Sequence, residues 1–213
     1  MTPQFGTVGP PWWRDKPVFL IGGGPSLRGF DLRRLFGLGH LVGINESMFH
    51  VPVVAGVSID LRFVSSRYDR LADFAKTTQL FLSLGAEWWD EVDPVPSAVN
   101  LWNSPLPGIS HDPALLRRGS TSGYAALNLA VLKRARHIVL LGFDYCNIGG
   151  HQNFHDGYSW RPVADALWAD WAREFAFAAD ELKTAGISVV NASPESMIDC
   201  FPKMTIEDAC HLS

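Results

Sequence analysis

Ile21-Gly-Gly-Gly-Pro-Ser-Leu-Arg-Gly29 follows the apolar run Pro17 to Leu20 and precedes Phe30 to Phe36, a segment able to turn into a helix. A short apolar run ending in glycines reads as a first strand feeding a βα turn, where the backbone can approach an anion with no Cβ in the way. On this pattern PVFLI (17–21), HLVGI (40–44), PVVAGVSI (52–59), QLFLSL (79–84), HIVLLGF (137–143) and ISVVN (187–191) are strand candidates. They are apolar nearly throughout, as strands covered on both faces must be. Helical spacing lies between them in 66–76, in 121–135 and most clearly in 162–183, where Leu167, Trp168, Trp171, Phe175, Ala178 and Leu182 make one stripe, with Gly186 as the stop. This alternation predicts an α/β fold: a Rossmann-like, largely parallel sheet flanked by helices, with a small loop or lid insertion.

The 213 residues, 47% hydrophobic and 19% charged, suit a single globular α/β domain over 1–213, or one domain plus a small lid. The weakly patterned segments at about 85–118 and 145–161 are lid-like, because long loops in a compact domain are usually functional. A net charge of -4 and the lack of a basic run argue against nucleic acid and a membrane surface, leaving a small ligand as the expected partner. No apolar run approaches the roughly 18 residues of a membrane span, and no leader pattern opens the chain, so a cytoplasmic location is expected. Cys146, Cys200 and Cys210 lack CxxC spacing, which predicts reduced, mostly buried thiols. Trp88, Trp89, Trp102 and Trp160 could stack on a ligand, pack within a lid or join a homo-oligomer interface.

Ligands of an open parallel sheet bind beyond the carboxyl ends of its strands. The residues there are Gly22, Gly23, Gly24, Pro25 and Ser26 after the first strand, Asn45 after the second, Asp60 after the third and Asp144 after the fifth. The glycine turn is neither a Walker loop, lacking Gly-Lys-Ser/Thr, nor a full dinucleotide fingerprint, since Leu27 stands where the third glycine belongs. It can be a phosphate cradle or an ordinary bend. Gly119-Ser120-Thr121-Ser122-Gly123 opens the next helix, so Thr121, Ser122 and Gly123 can cap it, present donors to an anion, or both. Asn191, Ser193 and Ser196, at the end of the last strand, close the pocket or merely turn the chain.

His151 and His155 lie in the loop after Asp144. With Asp156 they could form a zinc site, but the flanking Gly-Gly and Asp-Gly oppose the helix that such spacing requires. An imidazole over a nucleotide site suits a general base, because its ordinary pKa lies near neutrality. Solvated loop histidines are the plain alternative.

The order GGGPSL, GINESMF, STSGYAALNLAVLKRARHIVLLGFDY, a His-bearing loop, a long helix and ISVVNASPES resembles the bacterial sialyltransferases of glycosyltransferase family 42. It also resembles domain of unknown function 115, which includes archaeal 6-hydroxymethylpterin diphosphokinases; uncharacterised phage and prophage proteins carry similar sequences. The resemblance runs from about Val18 to Pro202. The sialyltransferase likeness implies a transferase that takes a cytidine-monophosphate sugar and a small-molecule or glycan acceptor without a metal cofactor. Gly24 and Ser26 would approach the phosphate, Asn45 the phosphate or ribose, Thr121, Ser122 and Gly123 the donor, and a histidine of 151–155, His155 first, would act as base. The family's phosphate-stabilising tyrosine stands two residues beyond the Asp of G-x-D, where this chain has Cys146, with Tyr145 one residue early. The diphosphokinase likeness implies Mg²⁺ held by Asp60 and Asp144. Either Asp could instead cap a helix. A third possibility is a nucleotide-binding or phage assembly protein without turnover.

Overall fold

All six sequence-predicted strands form, and they lie side by side in parallel, as apolar runs separated by helical crossovers require. The structure, a computed structural model, describes residues 4–10, 12–85, 92–158 and 162–212. Trp88, Trp89 and Trp160 fall outside the described residues. The strands are β1 (Val18–Ile21), β2 (His40–Ile44), β3 (Ala55–Ser58), β4 (Gln79–Leu82), β5 (Val99–Asn100), β8 (His137–Leu141) and β9 (Ser188–Asn191), in the order β5-β4-β3-β2-β1-β8-β9. Within 85–118 the expected loop is partly strand. β5 extends the main sheet, and β6 (Trp102–Ser104) pairs in parallel with β7 (Leu115–Arg117) as a separate small sheet. Runs of two and three residues are too short for periodicity to reveal.

Alternate strand residues enter opposite layers. Val18, Leu20, Ile138 and Leu140 join the core that contains α3 (Ser122–Leu132), whereas Phe19, Ile21, Val139 and Leu141 pack on Leu27, Leu32, Leu35 and Ile206 of the other layer. Between β3 and β4 run α1 (Leu61–Ser66) and α2 (Tyr68–Phe74). The segment 162–183 forms two helices, α4 (Asp165–Glu174) and α5 (Ala176–Thr184), which meet at Phe175. Phe175 is fully buried and its ring lies 5.2 Å from Tyr124 and 5.6 Å from Tyr145. Of the predicted stripe, Leu167 faces outward. Gly186 takes a left-handed φ of +69° just beyond α5, as a helix stop does.

Strands β1 to β5 are laid down in one direction from β1, and the chain then crosses to β1's other side for β8 and β9. The reversal lies between β1 and β8, where diverging crossovers leave a crevice at the strands' carboxyl ends. No helix among the described residues is long and apolar enough to cross a membrane.

Candidate active site

The two turns at this switch point are bonded to each other. The Gly22 amide donates to the Leu141 carbonyl at 2.8 Å and the Gly24 amide to the Gly142 carbonyl at 2.9 Å. A Cβ on Gly24 would overlap the Asp144 carboxylate, and one on Gly22 would lie 2.6 Å from the Gly142 oxygen. These glycines are therefore demanded by close approach. The glycines lead into a single 3₁₀ turn, Pro25–Leu27, rather than a helix, so no helix dipole backs them.

A cleft of about 560 Å³ opens above these turns. Gly22, Gly23, Gly24, Asn45, Asp60, Thr121, Ser122, Gly123, Asp144, His151 and His155 all line it. Pro25, Ser26, Asn191 and Ser193 do not; of these, Ser26 and Ser193 are tied to the floor residue Asp144. The Ser26 amide donates to Asp144 Oδ2 at 3.0 Å, and the Ser26 and Ser193 hydroxyls sit 3.1 Å apart. Ser196 donates to the Phe143 carbonyl at 2.6 Å, bracing the same floor. Asp144 has no exposed surface, and burial pushes its pKa up despite the bond from the Ser26 amide.

The hydroxyl cluster before α3 is divided among three tasks. Ser120 holds Glu174 of α4 through its amide at 2.8 Å and its hydroxyl at 2.5 Å. Thr121 caps the helix by accepting from the Tyr124 amide at 3.2 Å, and Ser122 accepts from the Ile59 amide at 3.1 Å. Thr121 also meets the Tyr145 hydroxyl at 2.9 Å. Tyr145 reaches it because its backbone is left-handed, φ +52°, which swings the ring across to Gly123. Asn45 is likewise left-handed, φ +53°, and so turns the chain at the end of β2. α3 spans 11 residues and begins at the cleft wall, so its positive end faces the cleft.

The loop over the cleft is fastened at several points. The Phe154 amide donates to the Gly23 carbonyl at 3.0 Å, and Arg28 reaches the Asn153 carbonyl at 3.4 Å. Arg67 Nη2 donates to the Gly157 carbonyl at 2.5 Å, while its Nε and Arg70 both hold the buried Glu46 carboxylate, at 3.0 and 2.9 Å. His155 is 8% exposed, and burial together with His50, stacked 5.4 Å away, brings its pKa down to about 4. Its Nδ1 accepts from the Gly157 amide at 3.2 Å, and Nε2 is buried without a hydrogen-bond partner among the described residues. His151 is exposed at the cleft rim.

Sequence reasoning passed over Arg28, Gln152, Asn153, Tyr158 and the pair Trp168 and Trp171, all of which line the cleft. The tryptophans were absorbed into the apolar stripe of α4, and only the fold shows that this stripe continues past the core to form a cleft wall. Of these, Arg28 carries a signal in the sequence, as a cation directly after Pro-Ser-Leu in the glycine turn. Trp102 lies outside the cleft, stacked on Phe5 at 3.7 Å. The thiols are half-buried rather than buried. As for metals, Asp60 caps α1 by accepting from the Phe63 amide at 3.1 Å, and Asp144 accepts from Ser26. Among the described residues no group of three or more His, Cys, Asp or Glu could hold an ion, so the His151, His155 and Asp156 zinc arrangement does not assemble.

The architecture matches solved glycosyltransferases. No protein-family model and no curated protein sequence matches the chain. The MAf glycosyltransferase from Magnetospirillum magneticum AMB-1 superposes with a TM-score of 0.59 at 14% identity over 91% of this chain. The chain spans 34% of that protein's length. The sialyltransferase CstII from Campylobacter jejuni, solved in complex with the substrate analogue cytidine-5'-monophosphate, superposes with a TM-score of 0.52 at 15% identity. That match covers 90% of this chain and 85% of CstII. At such identities the likeness is one of fold.

Proposed function

We propose that the protein is a transferase that binds a nucleotide-activated sugar in this cleft and passes the sugar to a hydroxyl acceptor. The observation that carries this reading is the convergence of a Cβ-free turn, a helix start and a histidine-bearing loop on one crevice at the switch point. The first amides of α3 and the hydroxyls of Thr121 and Tyr145 would face the donor phosphate; Tyr145, one residue early in sequence, has its hydroxyl at that wall because its backbone is left-handed. The acceptor oxygen bonds to the anomeric carbon, the bond from that carbon to the phosphate oxygen breaks with its electron pair leaving on the nucleotide, and the acceptor proton passes to a loop imidazole. Trp168 and Trp171 would supply a stacking wall for a ring of the substrate. This reading needs no metal.

A diphosphokinase is the second reading, favoured by Asp60 and Asp144 facing the same cleft. These two carboxylates would hold Mg²⁺, which would supply neutralisation of phosphate charge in phosphoryl transfer. Each already accepts a backbone amide, which weighs against it. A thermal-shift panel separates the two: cytidine nucleotides should raise Tm without Mg²⁺, by about 2.7 kcal/mol of linkage at a hundredfold excess over Kd. A rise with ATP or GTP only in the presence of Mg²⁺ would transfer the assignment to the second reading. Tight binding with no product in a donor-hydrolysis assay would leave a nucleotide-binding protein without turnover.

A further inference from the structure

His155 precedes an Asp-Gly turn, and the sequence alone makes it the first choice for the base. Its hydrogen bonds suit a different role. A neutral imidazole has one N–H and one lone pair, and the nitrogen that accepts a hydrogen bond cannot be the one that carries the proton. Nδ1 accepts from the Gly157 amide at 3.2 Å, which places the ring proton on Nε2. Nε2 lies over the glycine turn, 3.4 Å from where a Cβ on Gly23 would stand, and it has no hydrogen-bond partner among the described residues. A buried donor left without an acceptor calls for a group that completes it.

The Gly157 amide is itself held in place. Across its Cα, in the next peptide unit, the Gly157 carbonyl receives Arg67 Nη2 at 2.5 Å, and Arg67 Nε pairs at 3.0 Å with Glu46, which is 4% exposed. A Cβ on Gly157 would lie 2.6 Å from Glu46 Cγ, so the contact admits glycine alone. Glu46 directly follows Asn45 of the cleft wall, and thus one half-buried ion pair ties the wall to the loop above it.

We infer that His155 is a neutral Nε2–H donor to an anionic oxygen of the ligand entering above Gly23, that Glu46 and Arg67 are positioning residues acting on it through Gly157, and that His151 takes the acceptor's proton. This rests on the nucleotide reading of the cleft. Its pKa near 4 agrees with a ring that stays uncharged at neutral pH. His151 is exposed at the rim, and among the described residues its ring makes no hydrogen bond, which leaves a lone pair available.

The tautomer can be read directly by ¹⁵N-ring NMR on the full chain at pH 7, with no ligand needed. An Nε2–H ring for His155 is expected, and an Nδ1–H ring overturns the inference. Calorimetric titration with CMP and with cytidine tests the donor role. His155→Ala should weaken CMP by at least about tenfold, the worth of one hydrogen bond to a charged group, and leave cytidine unchanged. His155→Gln, whose amide N–H can occupy the place of Nε2–H, should restore CMP binding. Equal CMP affinity in wild type and His155→Ala sinks the proposal. Failure of the wild type to bind CMP counts against the nucleotide reading, and the NMR result still decides the tautomer. Arg67→Lys retains a cation beside Glu46 but lacks the second nitrogen that reaches the Gly157 carbonyl; a mixed tautomer population is expected with far-UV circular dichroism unchanged. A wild-type tautomer in that variant removes Arg67 from the positioning role.

Discussion

Asp144 and His155 are two buried groups whose ionisation is suppressed in opposite senses, and each leaves its mark on stability. His155 titrates near 4 when folded and at its ordinary 6.5 when unfolded, so between these values the unfolded chain binds more protons. Its contribution is therefore complete above pH 6.5 and is lost as pH falls toward 4. The fall in Tm over this window should be shallower in His155→Gln than in the wild type, as measured by calorimetry. Asp144 runs the other way: its raised pKa makes the folded chain the better proton binder, so stability is greatest below the ordinary carboxylate value and declines as pH rises. Asp144→Asn keeps an acceptor for the Ser26 amide and should gain on the wild type in Tm as pH is raised from 4 to 8. Gly24→Ala places a methyl on the Asp144 carboxylate and should cost about 1–3 kcal/mol in chemical denaturation. The importance of Gly24 was legible in the sequence, since a glycine after a first strand is a recognised cue. The tautomer of His155 was not, because a residue two places on and an arginine nearly ninety positions earlier set it together.

Among the elements, α3 does most to shape the cleft. It is buried all round and its N-terminal residues are shared between capping and the cleft wall. Thr121→Ala removes the cap bond to Tyr124 and should destabilise by about 1 kcal/mol, while Thr121→Ser keeps it and should be near neutral in urea titration. The sequence showed this helix plainly, because the apolar run is long and a Thr stands at its start. The split of 162–183 at Phe175 was hidden, since both halves keep helical spacing and what tightens the chain there is an aromatic cluster drawn from α3, β8's turn and Phe201. Strands β5 to β7 were hidden for another reason. They exist through pairing with partners, and segments of two or three residues carry no period of their own.

Across the whole molecule, the N-terminal segment runs from the edge strand β5 to Lys133 at the end of α3. The Gly6 amide bonds the Asn100 carbonyl at 2.9 Å, the Val8 amide the Pro113 carbonyl at 2.8 Å and the Trp13 amide the Lys133 carbonyl at 3.2 Å. The Lys133 ammonium has no exposed surface and lies among the rings of Trp12, Trp13 and Phe81, where burial lowers its pKa to about 8. Between 8 and its ordinary 10.5 the unfolded chain holds the extra proton, so stability rises with pH through this window and is lost as pH falls toward 8. Lys133→Met should abolish that rise in Tm. The mutation lies at the other end of the strands from the cleft, so nucleotide binding should be unchanged.

The parallel α/β sheet, its six principal strands and most of the residues that meet in the cleft are written in the amino-acid order. They can be read there because strand burial, glycine turns and helix caps are local signals that the chain carries wherever it folds. Which hydroxyls face the cleft, which carboxylates are already engaged, and which nitrogen of His155 bears the proton became fixed only on folding. Those properties belong to contacts between segments distant in sequence, and a hydrogen bond's direction exists only once both of its partners are in place.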